Sequence, residues 1–133
     1  MTISGFDHVA IPIENVKEML SFYGKLGFTV NDSIPAVYSV HFGDNKINFH
    51  DPELWQSKSF GLRGPTAQPG CGDFCFVWNG SEASLIEHLN KLSVKIIEGP
   101  VKRTGGHNHG RDTGTSVYIR DPDKNLLEFI VYH

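Results

Sequence analysis

Residues 6–27 read FDHVAIPIENVKEMLSFYGKLG, and the fold follows from how the hydrophobic period changes inside this stretch. Up to Ile13 the pattern alternates. Val9, Ile11 and Ile13 share one side, and His8, Ala10 and Pro12 share the other, as in a strand with one apolar face. From Val16 onward Met19, Leu20, Tyr23 and Leu26 follow at helical spacing. Asn15 stands at the N-cap position with Glu18 three residues later, as in a capping box. Gly27 stands where a left-handed residue closes a helix. Three short β-type runs come next, FTVND (28–32), AVYSVHFG (36–43) and KINFHD (46–51), separated by turn residues. The order is strand, helix and three strands.

The same order returns in the second half. GDFCFVW (72–78) reads as a strand, and Ser81 caps a helix carrying Leu85, Ile86, Leu89 and Leu92 on one side. VKIIEG (94–99) reads as a strand, and residues 114–133 read as a hairpin turning at Asp121-Pro122-Asp123-Lys124-Asn125. Asp73 follows His8 by 65 positions, Ser81 follows Asn15 by 66, and Glu128 follows Asn48 by 80; the extra residues lie in the Gly-rich stretch 99–113. Matching order at a nearly fixed offset marks an internal repeat. The expectation is an α+β domain of two βαβββ modules, about 4–51 and 72–133, joined by a linker over 52–71. Their curved sheets should form a cup. A module of about 60 residues leaves one sheet face uncovered, which argues for a homodimer, with module pairing inside one chain or across two both open.

Composition removes several functions. The 133 residues carry a net charge of −3 with 20% charged side chains and no basic stripe, so a nucleic-acid partner is not expected. No apolar run reaches the length of a membrane-spanning helix, and the first residues lack the basic-then-apolar pattern of a secretory signal. A cytoplasmic protein with two reduced thiols, Cys71 and Cys75, is the expectation. No GxGxxG, Walker loop or GxSxG motif is present, which leaves nucleotide-binding and serine-hydrolase chemistry unsupported.

Five segments together resemble one family. They are DHVAI (7–11), SFYGKLGF (21–28), FGDNKINFH (42–50), EGPVKRTG (98–105) and RDPDKNLLEF (120–129). The chain is similar to the vicinal oxygen chelate superfamily, in particular to small glyoxalase-domain proteins related to biphenyl-diol dioxygenases. The resemblance implies a divalent metal (Fe2+, Mn2+, Zn2+ or Ni2+) that chelates a small substrate through two neighbouring oxygens. It also implies either dioxygenase or glyoxalase-type lyase chemistry. The alternative is non-catalytic sequestration of a small molecule, as in bleomycin-resistance members.

Strand alternation selects the residues. His8, Asn48 with His50, Asp73 and Glu128 all fall on the faces opposite the helices. The resemblance carries metal ligation over to His8 and Glu128. Asp73 stands where many members have a second histidine, and Asn48 where glyoxalases have a glutamate. His50 lies about 6.6 Å beyond Asn48 on the same face. Two imidazoles and one carboxylate make a metal-binding triad with open positions, so His8, His50 and Glu128 are the expected ligands. Asp73 is expected as a fourth ligand or as an acceptor orienting an imidazole. Glu128 and Asp73 are the expected catalytic carboxylates. Asn48, Arg103, His107, His109, Arg111 and Tyr118 are expected to touch substrate, the segment 103–112 as a loop before the strand that carries Tyr118. Trp55, Phe60 and Leu62 either roof an apolar pocket or cover a strand edge.

Overall fold

The alternating run at the N-terminus forms β1 (His8–Pro12), and the helical run forms α1 (Val16–Leu26); β2 (Thr29–Asn31), β3 (Val37–Phe42) and β4 (Asn45–His50) follow. The computed structural model describes residues 2–133, and the chain divides into two compact units, Met1–Cys71 and Gly72–His133. In the first unit the sheet order is β1-β4-β3-β2, with β1 parallel to β4 and the other pairs antiparallel. Ile11, Val40, Ile47 and Phe49 are buried on one face of this sheet. Met19, Tyr23 and Leu26 of α1 are buried with them, the Tyr23 ring standing edge-on to Phe49 at 5.2 Å. This is the apolar stripe that the sequence placed there. Gly27 closes α1 at φ 118°, a left-handed conformation that a side chain would strain. The expected capping box is corrected: Asn15 holds the N-cap position, but its side chain makes no capping hydrogen bond, and its ψ of 78° departs from the extended value.

Residues 52–71 do more than link. Asp51 caps a short helix α2 (Pro52–Trp55) by accepting from the Leu54 N–H, and Trp55 Nε1 donates to the Ile13 carbonyl at 3.0 Å. The segment is thereby fastened onto the first unit.

The second unit repeats the pattern with β5 (Asp73–Val77), α3 (Glu82–Lys91), β6 (Glu98–Thr104), β7 (Thr113–Arg120) and β8 (Leu126–Tyr132), in the order β5-β8-β7-β6. Ser81 caps α3, its hydroxyl accepting from the Ser84 N–H at 3.0 Å. Leu85, Leu89, Phe76, Val117, Ile119, Leu127 and Phe129 form the core. The sixth strand corrects the sequence reading. It begins at Glu98 rather than Val94 and runs to Thr104. The apolar VKII run is followed by Gly99 at φ +99°, where a Cβ would lie 2.4 Å from the Ser116 carbonyl oxygen. Only glycine lets the two backbones approach there, and the ladder to β7 shifts register between Glu98 and Val101 before it continues.

The closing turn is a small polar core. Asp121 Oδ1 accepts from the N–H groups of Asp123 and Asn125 at 3.0 and 2.9 Å, and its Oδ2 accepts from Asn125 Nδ2 at 2.8 Å. Asn125 Oδ1 in turn accepts from the Gly72 N–H at 2.7 Å, fixing the entry to β5.

Candidate functional site

The strand ladders place the expected residues at matched positions. In the first unit Ala10 pairs with Asn48, and Asn48 pairs with Ser39. In the second, Cys75 pairs with Glu128, and Glu128 pairs with Tyr118. Asn48 and Glu128 thus lie opposite the third residue of β1 and of β5, as the repeat implied. His8 and Asp73 open those two strands.

Around Glu128 the second unit gathers several polar side chains. Ser116 Oγ donates to Glu128 Oε2 at 2.6 Å. Arg103 Nε donates to the Tyr118 hydroxyl at 2.9 Å, and the guanidinium carbon stands 5.5 Å from the centre of the tyrosine ring. Burial pushes the Tyr118 hydroxyl above its ordinary pKa. The hydrogen bond from Arg103 pulls the other way, and the charge of Glu128 and a hydrogen bond to it add to the rise. The Cys75 thiol is pushed up to about 12, first by desolvation and then by the Glu128 carboxylate beside it. A thiol held this high is not a nucleophile at neutral pH. Glu128, half-buried, thus has its carboxylate met by the Ser116 hydroxyl as a hydrogen-bond donor.

The stretch expected as a loop over 103–112 divides. Arg103 belongs to β6, where it reaches Tyr118. His107 lies flat on the Tyr132 ring, 4.0 Å between centroids with 9° between planes, and its backbone N–H donates to the Tyr132 hydroxyl. Tyr132 shares the β8 face of Glu128. Asn108 and His109 both adopt positive φ, at 53° and 56°. Arg111 donates to Asn108 Oδ1 at 2.9 Å and is thus tied into its own turn.

The first unit separates the two expected histidine ligands. His8 pairs with Lys46, whereas His50 pairs with Pro12, four residues further on, about 13 Å along the strand. His8 Nδ1 is 2.6 Å from Asp7 Oδ2 at an exposed position. His50 is buried at 7% exposure with the Phe60 ring edge-on at 5.1 Å. Burial lowers its pKa, and the positive charge of Arg63 lowers it further. A cation beside an imidazole opposes the binding of a second cation there. Among the described residues no three His, Cys, Asp or Glu side chains lie together in a way that would hold a metal ion. Within the first unit, therefore, His8 and His50 are not neighbours. Sequence reasoning assigned no role at the site to Ser116, Cys75 or Arg63. The first two were legible as the neighbours of Glu128 once the strands were paired in register, but Arg63 carried no signal, because it acts through a linker fold.

These ladders and motifs are those of one family. The chain belongs to the Glyoxalase/Bleomycin resistance protein/Dioxygenase superfamily, whose pattern matches residues 5–129. It is 34% identical over 134 residues to glyoxalase domain-containing protein RDO1 of Mycosarcoma maydis, covering 99% of this chain and 70% of that protein. It is 32% identical over 135 residues to virulence protein STM3117 of Salmonella typhimurium, covering 99% of this chain and 87% of the relative. The crystal structure of STM3117 superposes with a TM-score of 0.84 over 100% of both chains. An integron cassette protein from the mobile metagenome of V. cholerae superposes with a TM-score of 0.85 at 32% identity, covering 100% of this chain and 98% of that one. No helix among the described residues is long and apolar enough to cross a membrane.

Proposed function

We propose that the protein binds a small molecule bearing neighbouring oxygens on the polar face of its second unit, with Glu128 as the central acceptor. The observation that carries this reading is the polar cluster of Arg103, Tyr118, Ser116 and Glu128 across three strands, in which Arg103 Nε donates to the Tyr118 hydroxyl, Ser116 Oγ donates to Glu128 Oε2, and Tyr118 pairs with Glu128 across the ladder. A vicinal diol presents two O–H donors to such a carboxylate. Arg103 and the Tyr118 hydroxyl suit an oxygen that gains negative charge on binding. His107, stacked on Tyr132, forms the flank of the same face. The reading supports a binding protein of the sequestering kind within the superfamily, acting on one small molecule per face.

A catalytic role is the second reading. It is favoured by the position of Glu128, whose carboxylate can take a proton from a bound ligand. In that reading Tyr118 and Arg103 hold the resulting anion, and Asp73, two residues from Cys75 on the same strand face, is a further carboxylate within the unit.

The test is calorimetric titration of catechol into chelator-treated protein, alongside elemental analysis of the protein as purified. The expected result is saturable binding without metal, weakened about tenfold or more in Glu128→Gln, since a hydrogen bond to a charged group is lost. Stoichiometric divalent metal that disappears in Glu128→Gln, together with turnover of catechol, would replace this reading with the metal-dependent dioxygenase or lyase chemistry implied by the resemblance.

A further inference from the structure

Lys46 of β4 is half-buried and has no countercharge: the ion pairs among the described residues are His8 with Asp7 and Lys91 with Glu87. Buried side-chain polar atoms without a partner are Asn48 Oδ1 and Arg63 Nε. The Lys46 ammonium group is not one of them, so it keeps contact with solvent.

The ladder sets an imidazole on each side of this charge. Lys46 pairs with His8 of β1 and with His41 of β3. Paired residues share a face, and neighbouring strands stand about 4.8 Å apart, so an anion placed over Lys46 is within reach of both rings. His8 is exposed and His41 half-buried, and each ring is oriented through one nitrogen. Ser39 Oγ and His41 Nε2 share a hydrogen bond of 2.9 Å, which leaves Nδ1 of His41 to a ligand. Asp7 Oδ2 lies 2.6 Å from His8 Nδ1, which leaves Nε2; in its charged form the ring donates there too. The corresponding row of the second unit is Asp73, Leu126 and Arg120. A carboxylate and an apolar side chain replace two of the three basic groups, so the accumulation is peculiar to the first unit.

Charge and shape define what fits. An ammonium group is a compact point charge with three donors. A planar carboxylate is matched best by the fork of an arginine. The first unit has one arginine, Arg63, and its guanidinium is committed to the Trp55 and Ala67 carbonyls. Donors that approach from three neighbouring strands suit instead a tetrahedral oxyanion, whose acceptor oxygens point apart.

We propose that the row His8–Lys46–His41 binds the phosphate or phosphonate group of a small molecule, with Lys46 as the countercharge and the two imidazoles as flanking donors. This site shares no residue with the Glu128 face and stands independently of the reading given for that face.

The test uses the full chain at pH 7 in a buffer free of phosphate, sulfate and carboxylates. Inorganic phosphate is titrated while the ring signals of His8 and His41 are followed by NMR, with chloride holding the ionic strength constant and acetate as the planar control. Both rings should respond saturably to phosphate, and acetate should bind at least tenfold more weakly. Lys46→Met keeps the stem and removes the charge, and should weaken phosphate binding about tenfold or more. Glu128→Gln should leave it unchanged. Methyl phosphate separates the two sources of the group. Binding as tight as that of phosphate supports a phosphorylated small molecule, and binding of phosphate alone would overturn that ligand in favour of the free ion. Ring signals that do not move, acetate bound as tightly as phosphate, or a Lys46→Met variant that binds like the wild type would each overturn the site.

Discussion

Cys75 shows how one neighbour sets the chemistry of a side chain. Its thiol is pushed up to about 12, with desolvation as the larger cause and Glu128 as the next. The thiolate fraction at pH 8 is then on the order of one in ten thousand. Alkylation of Cys75 by iodoacetamide at pH 8, followed by peptide mass spectrometry, should run far slower than that of a small free thiol. It should accelerate in Glu128→Gln, where one cause of the shift is gone. Labelling of Cys75 at the rate of N-acetylcysteine would show that Glu128 does not face it. His50 gives the second residue-scale expectation. Its folded pKa lies below the ordinary 6.5, so between the two values the unfolded chain binds more protons than the folded one. Stability is therefore full above pH 6.5 and falls as the pH drops through that region. Urea midpoints measured from pH 8 down to pH 5 should decline, and His50→Gln should flatten the decline. A midpoint that is level with pH in the wild type would contradict the burial of His50.

At the scale of the element, the Asp121 turn is the point where the second unit closes on itself. One carboxylate accepts three hydrogen bonds, and Asn125 passes the connection on to Gly72. Asp121→Ala leaves two backbone N–H groups and an amide without their acceptor, and should cost about 3 kcal/mol in chemical denaturation. A loss within experimental error of zero would mean that the turn is held by its backbone alone. The sequence made this turn legible, as it did β1, α1, the Gly27 stop, Ser81 at the start of α3 and the alternation of β8, because each rests on a local rule of period or conformation. It misread the sixth strand. VKII looks like strand by composition, yet the pairing to β7 is arranged around Gly99 and resumes beyond Pro100, a contact between residues far apart in the chain. The candidate site divided along the same line. The faces of Glu128 and Tyr118 followed from strand alternation, whereas Arg103, expected in a loop, lies in β6. The distance between His8 and His50 did not, because the parallel register of β1 on β4 is a tertiary choice that neither strand carries alone. The fold of residues 52–71 over His50 was equally hidden, since it depends on Arg63 reaching two carbonyls.

At the scale of the whole molecule, the family is firm and the assembly is open to measurement. Val77 on the edge strand β5 and Phe6 before β1 are exposed at 56% and 73%, and apolar side chains this exposed at sheet edges favour association with another surface. Light scattering of the purified protein should return about twice the 14.8 kDa chain mass. Val77→Lys, which places a charge on the edge, should shift it towards the monomer without loss of secondary structure. A monomer at all concentrations for the wild type would remove the dimer.

The shared ladder has a consequence for change over time. Asn48 and Glu128 sit at the same node of two equivalent frameworks, one an amide and one a carboxyl group, while the hydrogen bonds that hold the strands use only the backbone. A duplicated scaffold of this kind separates inheritance of shape from inheritance of chemistry. One copy can retain an acidic node while its twin explores a different ligand, and neither exploration endangers the architecture that makes the other usable.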